Sequence, residues 1–150
     1  MVEGKRKTLM LVGKSQAGKT TLTQYLTDQQ ISYHKTQTVQ VVDGHFIDTP
    51  GEYLEQRGYY GALSVTATEV DIVALVQSAL EEGTMFAPGF AGMFYGKPVV
   101  GIVTKMDLAS EEQLKQAEQY LQLAGAQICF RVSSITGQGI AELDKWIKGS

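Results

Sequence analysis

Gly13-Lys14-Ser15-Gln16-Ala17-Gly18-Lys19-Thr20 carries the spacing G-x-x-x-x-G-K-[ST], and the chemistry that spacing supports is the cradling of a polyphosphate. Glycines at both ends let the backbone turn tightly and approach an anion that a side chain would hold off. Amides from about Gln16 to Thr20 then face inward at the positive end of a helix. Lys19 reaches the β- and γ-phosphates, and the Thr20 hydroxyl is a ligand for Mg²⁺, a hard ion that prefers oxygen and keeps several waters. The expected nucleotide-contacting residues here are Gly13, Ser15, Gln16, Ala17, Gly18, Lys19, Thr20 and Thr21.

Three later segments carry matching chemistry. Asp48-Thr49-Pro50-Gly51 offers a carboxylate that can hold Mg²⁺ through water or Thr20, and an amide at Gly51 for the γ-phosphate. Thr104-Lys105-Met106-Asp107 is one residue away from the Asn-Lys-x-Asp signature of guanine readers. There Asp107 would accept from the guanine N1-H and exocyclic amine while the stem of Lys105 lies against the base. Val132-Ser133-Ser134-Ile135-Thr136-Gly137 occupies the place where backbone amides meet the guanine carbonyl, so Ser133 and Ser134 are expected at the base.

Such groups work only if strands and helices deliver them to one place. Thr8–Val12 reads as a buried strand and the run from Thr21 as the first helix, which puts the loop at a strand-to-helix turn. Thr38–Val42 and His45–Asp48 flank Asp43-Gly44, a hairpin signal, and further strands are expected at Ile72–Val76, Val99–Val103 and Ile128–Val132. Helices are expected over Tyr59–Glu69, Glu111–Leu123 and Ile140–Lys148, the last with Ile140, Leu143, Trp146 and Ile147 on one face and Trp146 as a core anchor. Glu81 to Gly96, rich in Gly and Phe, reads as a long loop with a short helix around Phe90. Strands alternating with helices predict an α/β fold: a three-layer sandwich with a six-stranded, mostly parallel sheet and one antiparallel edge strand.

With 150 residues the chain has one domain's length. A net charge of −3 argues against a nucleic-acid surface, with Lys5-Arg6-Lys7 as solvated flanking charge. No apolar run approaches a membrane span of about 20 residues, and the basic N-terminus runs straight into the loop, so a cytoplasmic location is expected. The lone Cys129 lies in a strand-like run and reads as a small core residue rather than a redox group. The sequence does not set the oligomeric state.

Taken together, these motifs resemble the Ras-like, translation-factor-related P-loop GTPases, and within them the EutP/PduV family found with bacterial ethanolamine and propanediol utilisation systems. The resemblance spans the chain and rests also on Lys35-Thr36-Gln37, on Ile47 to Tyr53 as I-D-T-P-G-E-Y, and on Tyr59-Tyr60-Gly61-Ala62-Leu63. It implies a place in ethanolamine or 1,2-propanediol catabolism, with a catabolic enzyme or microcompartment shell protein as partner. By the same resemblance Thr36, with Thr38 as the fallback, is the switch threonine that closes on Mg²⁺ and γ-phosphate.

Departures from the family pattern bear on mechanism. Glu52 follows Gly51 where Ras-like proteins carry the glutamine that orients attacking water. A carboxylate there is either a base or a repelled anion, so slow intrinsic hydrolysis is expected. Thr104 replaces the asparagine and shortens the brace between loop and base, which loosens selectivity and leaves ATP open beside GTP and GDP. Gln16 stands where some potassium-stimulated relatives carry asparagine. Arg57 could lend positive charge to the transition state, but a surface arginine paired with Glu55 or solvent is the plainer reading. His34 and His45 lack a partner motif. Tyr53, Tyr59 and Tyr60 read as packing against the neighbouring helix, with a partner surface as the alternative. Three functions fit these residues: a slow GTPase switch, a phosphotransferase acting on a small metabolite, and a nucleotide-tuned scaffold without catalysis. Lys19, Thr36 and Glu52 are the expected catalytic groups.

Overall fold

Both faces of the central strands are apolar, and that single property dictates the architecture. In β1 (Leu9–Val12) and β4 (Ile72–Ser78) every residue is buried. Because side chains alternate along a strand, Met10, Val12, Val73 and Leu75 feed one hydrophobic cluster while Leu9, Leu11, Ile72, Ala74 and Val76 feed another. A sheet apolar on both sides must be covered on both sides. The computed structural model describes residues 7–27, 40–42 and 46–149, with only the backbone of Thr27 and 40–42.

The strands form a sheet in the order β2-β3-β1-β4-β5-β6, where β2 is Gln40–Val42, β3 Phe46–Asp48, β5 Val99–Thr104 and β6 Ile128–Arg131. All pairs are parallel except β2 with β3. This is the expected α/β sandwich with one antiparallel edge strand. Helix α1 (Lys19–Thr27) and the last helix, α5 (Ile140–Gly149), cover one face through Leu22, Ile140, Leu143 and Ile147. The short α2 (Glu52–Glu55), α3 (Tyr60–Ala67) and α4 (Glu111–Ala124) cover the other through Leu54, Leu63, Leu114 and Leu121. Phe86, Phe90 and Phe94 join that second layer edge to face, at centroid spacings of 5.3 and 5.7 Å. They make a packed segment of what reads from sequence as a long loop, and the short helix expected near Phe90 is a 3-10 turn over Phe90–Met93.

Several expectations are corrected. The first helix starts at Lys19, two residues before Thr21, so the lysine and threonine of the loop sit in its first turn. Tyr59 belongs to a 3-10 turn, Arg57–Tyr59, and α3 ends at Ala67 rather than Glu69. Trp146 is only half-buried: it lies at the rim of the α1/α5 cluster, 6.1 Å from the Phe130 ring, because β6 is an edge strand and leaves that flank open. Cys129 is half-buried for the same reason, and burial together with the nearby Glu118 pushes its thiol up to about 11, which keeps it protonated and unreactive at neutral pH. Arg131 secures this edge: its guanidinium donates twice to Glu118 and once to Glu111, at 2.9 to 3.0 Å, tying β6 to α4.

Among the described residues no helix is long and apolar enough to cross a membrane. Thr36, Thr38, His34, His45, the Asp43-Gly44 turn and Lys5-Arg6 lie outside the described residues.

Candidate functional site

The strand order reverses beside β1: β3 lies on one side of it in the sheet and β4 on the other. Crevices at the carboxyl ends of strands next to such a reversal are where α/β sheets bind ligands, and Gly13–Thr20 leaves β1 at that point. Close packing sets the loop's shape. A Cβ on Gly13 would come 2.6 Å from the Val76 carbonyl oxygen of the neighbouring strand, so only glycine fits. Gly18, at φ +97°, and Gln16, at φ +69°, both take the left-handed conformation. Such backbone folds the loop round on itself, and Gln16, lacking glycine's freedom, holds it at a cost in strain.

Side chains from around the loop then hold it residue by residue. Lys19, 6% exposed, folds back so that its Nζ donates to Gly13 O at 2.6 Å and Lys14 O at 3.2 Å. Burial lowers its pKa from 10.5, and the carboxylates of Asp48 and Glu55 oppose that shift. Thr104, from the end of β5, donates its hydroxyl to Ala17 O at 2.6 Å, and Lys105 donates its ammonium to Gln16 O at 3.1 Å. The brace that the shorter Thr104 side chain is expected to lack is therefore made: the threonine is 2% exposed and stands directly against the loop. Lys105 takes φ +63°, which turns the chain out of β5 and into the 3-10 turn Met106–Leu108 that carries Asp107.

On the other side of β1, Thr20 Oγ1 donates to Asp48 Oδ2 at 3.0 Å. Thr49 fixes this end of β3 by donating both its amide and its hydroxyl to Leu11 O, at 3.2 and 2.7 Å. The hydroxyl and carboxylate are hard oxygen donors, as Mg²⁺ requires. Mg²⁺ takes one or two protein oxygens and completes its shell with phosphate and water.

Gly51 backbone lies against Ser15 so closely that any Cβ would collide with the Ser15 amide nitrogen. From there α2 begins, and Glu55, at its end, places Oε2 2.8 Å from the Ser15 amide, which donates to it. That hydrogen bond, with Lys19 and Lys14 nearby, holds the Glu55 carboxyl below the usual carboxylate range. Sequence reasoning missed this contact. It points to Glu52 as the acidic group at the loop and pairs Glu55 with Arg57, whereas Glu52 opens α2, half-buried, and Glu55 bonds the loop. The signal lay in the spacing: one helical turn from Gly51 brings residue 55 back over the residue that Gly51 touches.

Ser133 donates its amide to Gln138 O at 2.9 Å, and its hydroxyl accepts from the amides of Ile135 and Thr136. It shapes the loop after β6, and Ser134 beside it is half-buried. Met106 N donates to Val132 O at 3.1 Å, so the segment carrying Asp107 and the segment carrying Ser134 are joined. Of the tyrosines, Tyr53 and Tyr59 stack at 4.7 Å and Tyr60 packs edge-on to Phe90, so the cluster is built mainly on internal contacts.

The family model described as "PduV-EutP: Ethanolamine utilisation - propanediol utilisation" matches residues 6–149. A propanediol utilization protein PduV of Citrobacter freundii is 46% identical over 137 residues, covering 91% of this chain and 90% of that one. A protein named probable acetate kinase EutP, from Escherichia coli K12, is 28% identical over 137 residues, covering 91% and 86%. Among solved structures, a bacterial selenocysteine-specific elongation factor EF-Sec superposes with a TM-score of 0.70 at 22% identity. The superposition covers 97% of this chain and 28% of that one, and the likeness carries the fold alone. With a phosphate-loop fold and a family match that runs almost end to end, the chain belongs to the PduV-EutP family of ethanolamine and propanediol utilisation proteins.

Proposed function

We propose that this protein binds guanine nucleotide with Mg²⁺ and hydrolyses GTP slowly, acting in the cytoplasm as a switch in propanediol utilisation. The observation that carries this reading is the convergence, at the carboxyl ends of β1, β3 and β5, of the Lys19 loop, the Thr20–Asp48 pair and a Thr104–Asp107 segment tied to the loop by two hydrogen bonds. Gly13, Ser15 to Thr21 and Gly51 surround the phosphates. Thr20 and Asp48, with Thr36, hold Mg²⁺, which when bound neutralises charge building on the phosphates. Lys105 and Asp107 read the base, with Ser134 beside it. The name of the Citrobacter freundii relative favours propanediol over ethanolamine. A catabolic enzyme or a microcompartment shell protein would sense the segment after Gly51, since γ-phosphate contacts order such segments.

Calorimetric titration with GTP, GDP and ATP in Mg²⁺ tests the reading, because it interrogates the loop and the base reader together. Tight guanine binding and weak ATP binding are expected, since adenine presents an acceptor at N1 to an Asp107 that is itself only an acceptor. Asp107→Ala should lower the preference for GTP over ATP about tenfold, the size of a mismatched polar pair in a partly exposed site. Comparable affinities for GTP and ATP in the native chain would set the guanine assignment aside.

Hydrolysis is probed by Glu52→Gln under single-turnover conditions. Neutralising the residue next to Gly51 should speed hydrolysis about fivefold by easing repulsion of the γ-phosphate. An unchanged rate would remove Glu52 from the chemistry.

A second reading is favoured by one specific finding, the name probable acetate kinase given to relatives 27–28% identical to this chain. In that reaction a carboxylate oxygen of acetate attacks the γ-phosphorus, and the bond to the β–γ bridging oxygen breaks. Acetyl phosphate formed from GTP or ATP on adding acetate, in place of free phosphate, would select it over the switch.

A further inference from the structure

Glu55 is a carboxylate seated on the phosphate loop. Its Oε2 takes the Ser15 amide at 2.8 Å, and it is near enough to Lys19 and Lys14 to feel both charges. An anion on a loop amide near the loop lysine occupies donors of the kind a phosphoryl oxygen would use. The contact is held from behind. Leu54, 2% exposed, plugs α2 into the core, and Tyr53 stacks on Tyr59 across the turn. Gly51 meanwhile presses its backbone on Ser15 with no room for a side chain between them. Glu55 thus reaches the loop by the placement of a packed element rather than by the wandering of a long side chain.

Which phosphate competes follows from where Ser15 lies. Lys19 and Thr20 sit in the first turn of α1, with Thr20 bonded to Asp48, whereas Ser15 is at the start of the loop, against Gly51, which lies three residues past the end of β3. A phosphate chain lying along the loop from the helix outward brings its terminal group to Ser15 and Gly51 last. We propose that Glu55 is an internal competitor for the terminal phosphoryl group, so that a triphosphate must displace it from the Ser15 amide while a diphosphate leaves it in place. The device makes the loop favour GDP over GTP, and it ties arrival of the γ-phosphate to release of α2. It rests on the reading of Gly13–Thr20 as the phosphate cradle.

The test titrates the native chain, Glu55→Gln and Glu55→Ala with GTP and with GDP in Mg²⁺. Glu55 is exposed and its neighbours Leu54 and Gln56 keep the turn, so both variants should retain the native far-UV spectrum. GTP affinity should rise about fivefold in Glu55→Gln and at least as much in Glu55→Ala, the size of a charge-assisted hydrogen bond discounted for solvent exposure. GDP affinity should stay the same, so the ratio of the two constants changes, which a merely structural role for Glu55 would not produce. Unchanged or weaker GTP binding in both variants overturns the proposal, as does an equal gain for GDP. If neither nucleotide binds even the native chain, the cradle reading itself fails, an outcome distinct from both.

Discussion

Lys19→Met is expected to weaken GTP binding by about a hundredfold or more, the loss that follows from removing a buried lysine cation from a phosphate site, while leaving the fold intact. Methionine is the informative choice because it keeps the length of the lysine stem and removes the ammonium. The ammonium is buried and its desolvation is the largest influence on its pKa, which lies below 10.5. The sign of the linkage follows. Between the folded pKa and 10.5 the unfolded chain holds a proton that the folded chain does not, so Lys19 contributes stability above 10.5 and loses that contribution as pH falls through the folded value. At neutral pH the buried charge is therefore a cost, offset in part by its bonds to Gly13 O and Lys14 O and by attraction to Asp48 and Glu55. Replacing such a charge with an apolar group of similar volume is commonly near neutral. Melting of Lys19→Met within about 1 kcal/mol of the native chain, together with loss of heat on GTP titration, would place the lysine's value in binding. Normal GTP binding by this variant would remove the phosphate-loop reading.

The strands, the two-sided core and the loop were legible because each depends on short-range pattern. Continuous apolar runs such as Leu9–Val12 can only be strands covered on both faces, and glycine at residues 13 and 18 marks a turn. Less legible was anything that depends on an edge. Cys129 and Trp146 look like core residues in a window of sequence, and only the strand order reveals that β6 ends the sheet among the described residues. At the site, residue types pointed to the right neighbourhood, but which atom reaches which partner depended on long-range placement. Thr104 looks too short for its role until β5 is seen to run directly beside the loop, where its hydroxyl meets Ala17 O. Nothing in the residue type of Ser133 told that its amide and hydroxyl hold the turn after β6 together. Glu55 carries no motif at all, because its contact is created by Gly51 seating a helical turn on Ser15.

Gly139→Ala is expected to cost about 3–4 kcal/mol of folding stability, of which left-handed backbone accounts for about 1–2 and a steric collision for the rest. Gly139 has φ +80°, and an added Cβ would fall on the Arg131 carbonyl oxygen at the end of β6. Neither partner can retreat. The strand end is held by Val132 N donating to Val103 O at 2.8 Å and by the Arg131 guanidinium on Glu118 and Glu111. On the other side, Leu143 N donates to Gly139 O at 3.2 Å in the first turn of α5, and Ser133 N donates to Gln138 O at 2.9 Å. Gly61 is the matched control: it is exposed within α3, and an added Cβ would meet nothing within 4 Å. Gly61→Ala should therefore stabilise by about 0.5–1 kcal/mol through backbone entropy and helix propensity. Urea unfolding of the two variants should move the midpoint in opposite directions. Equal midpoints would mean that the β6–α5 junction yields. Against a typical total of about 5–15 kcal/mol, a loss of this size also reaches the site. The backbone that must shift carries Ser134 and, through the Val132 bond to Met106, the turn bearing Asp107, so guanine binding should weaken in Gly139→Ala even where the fold survives.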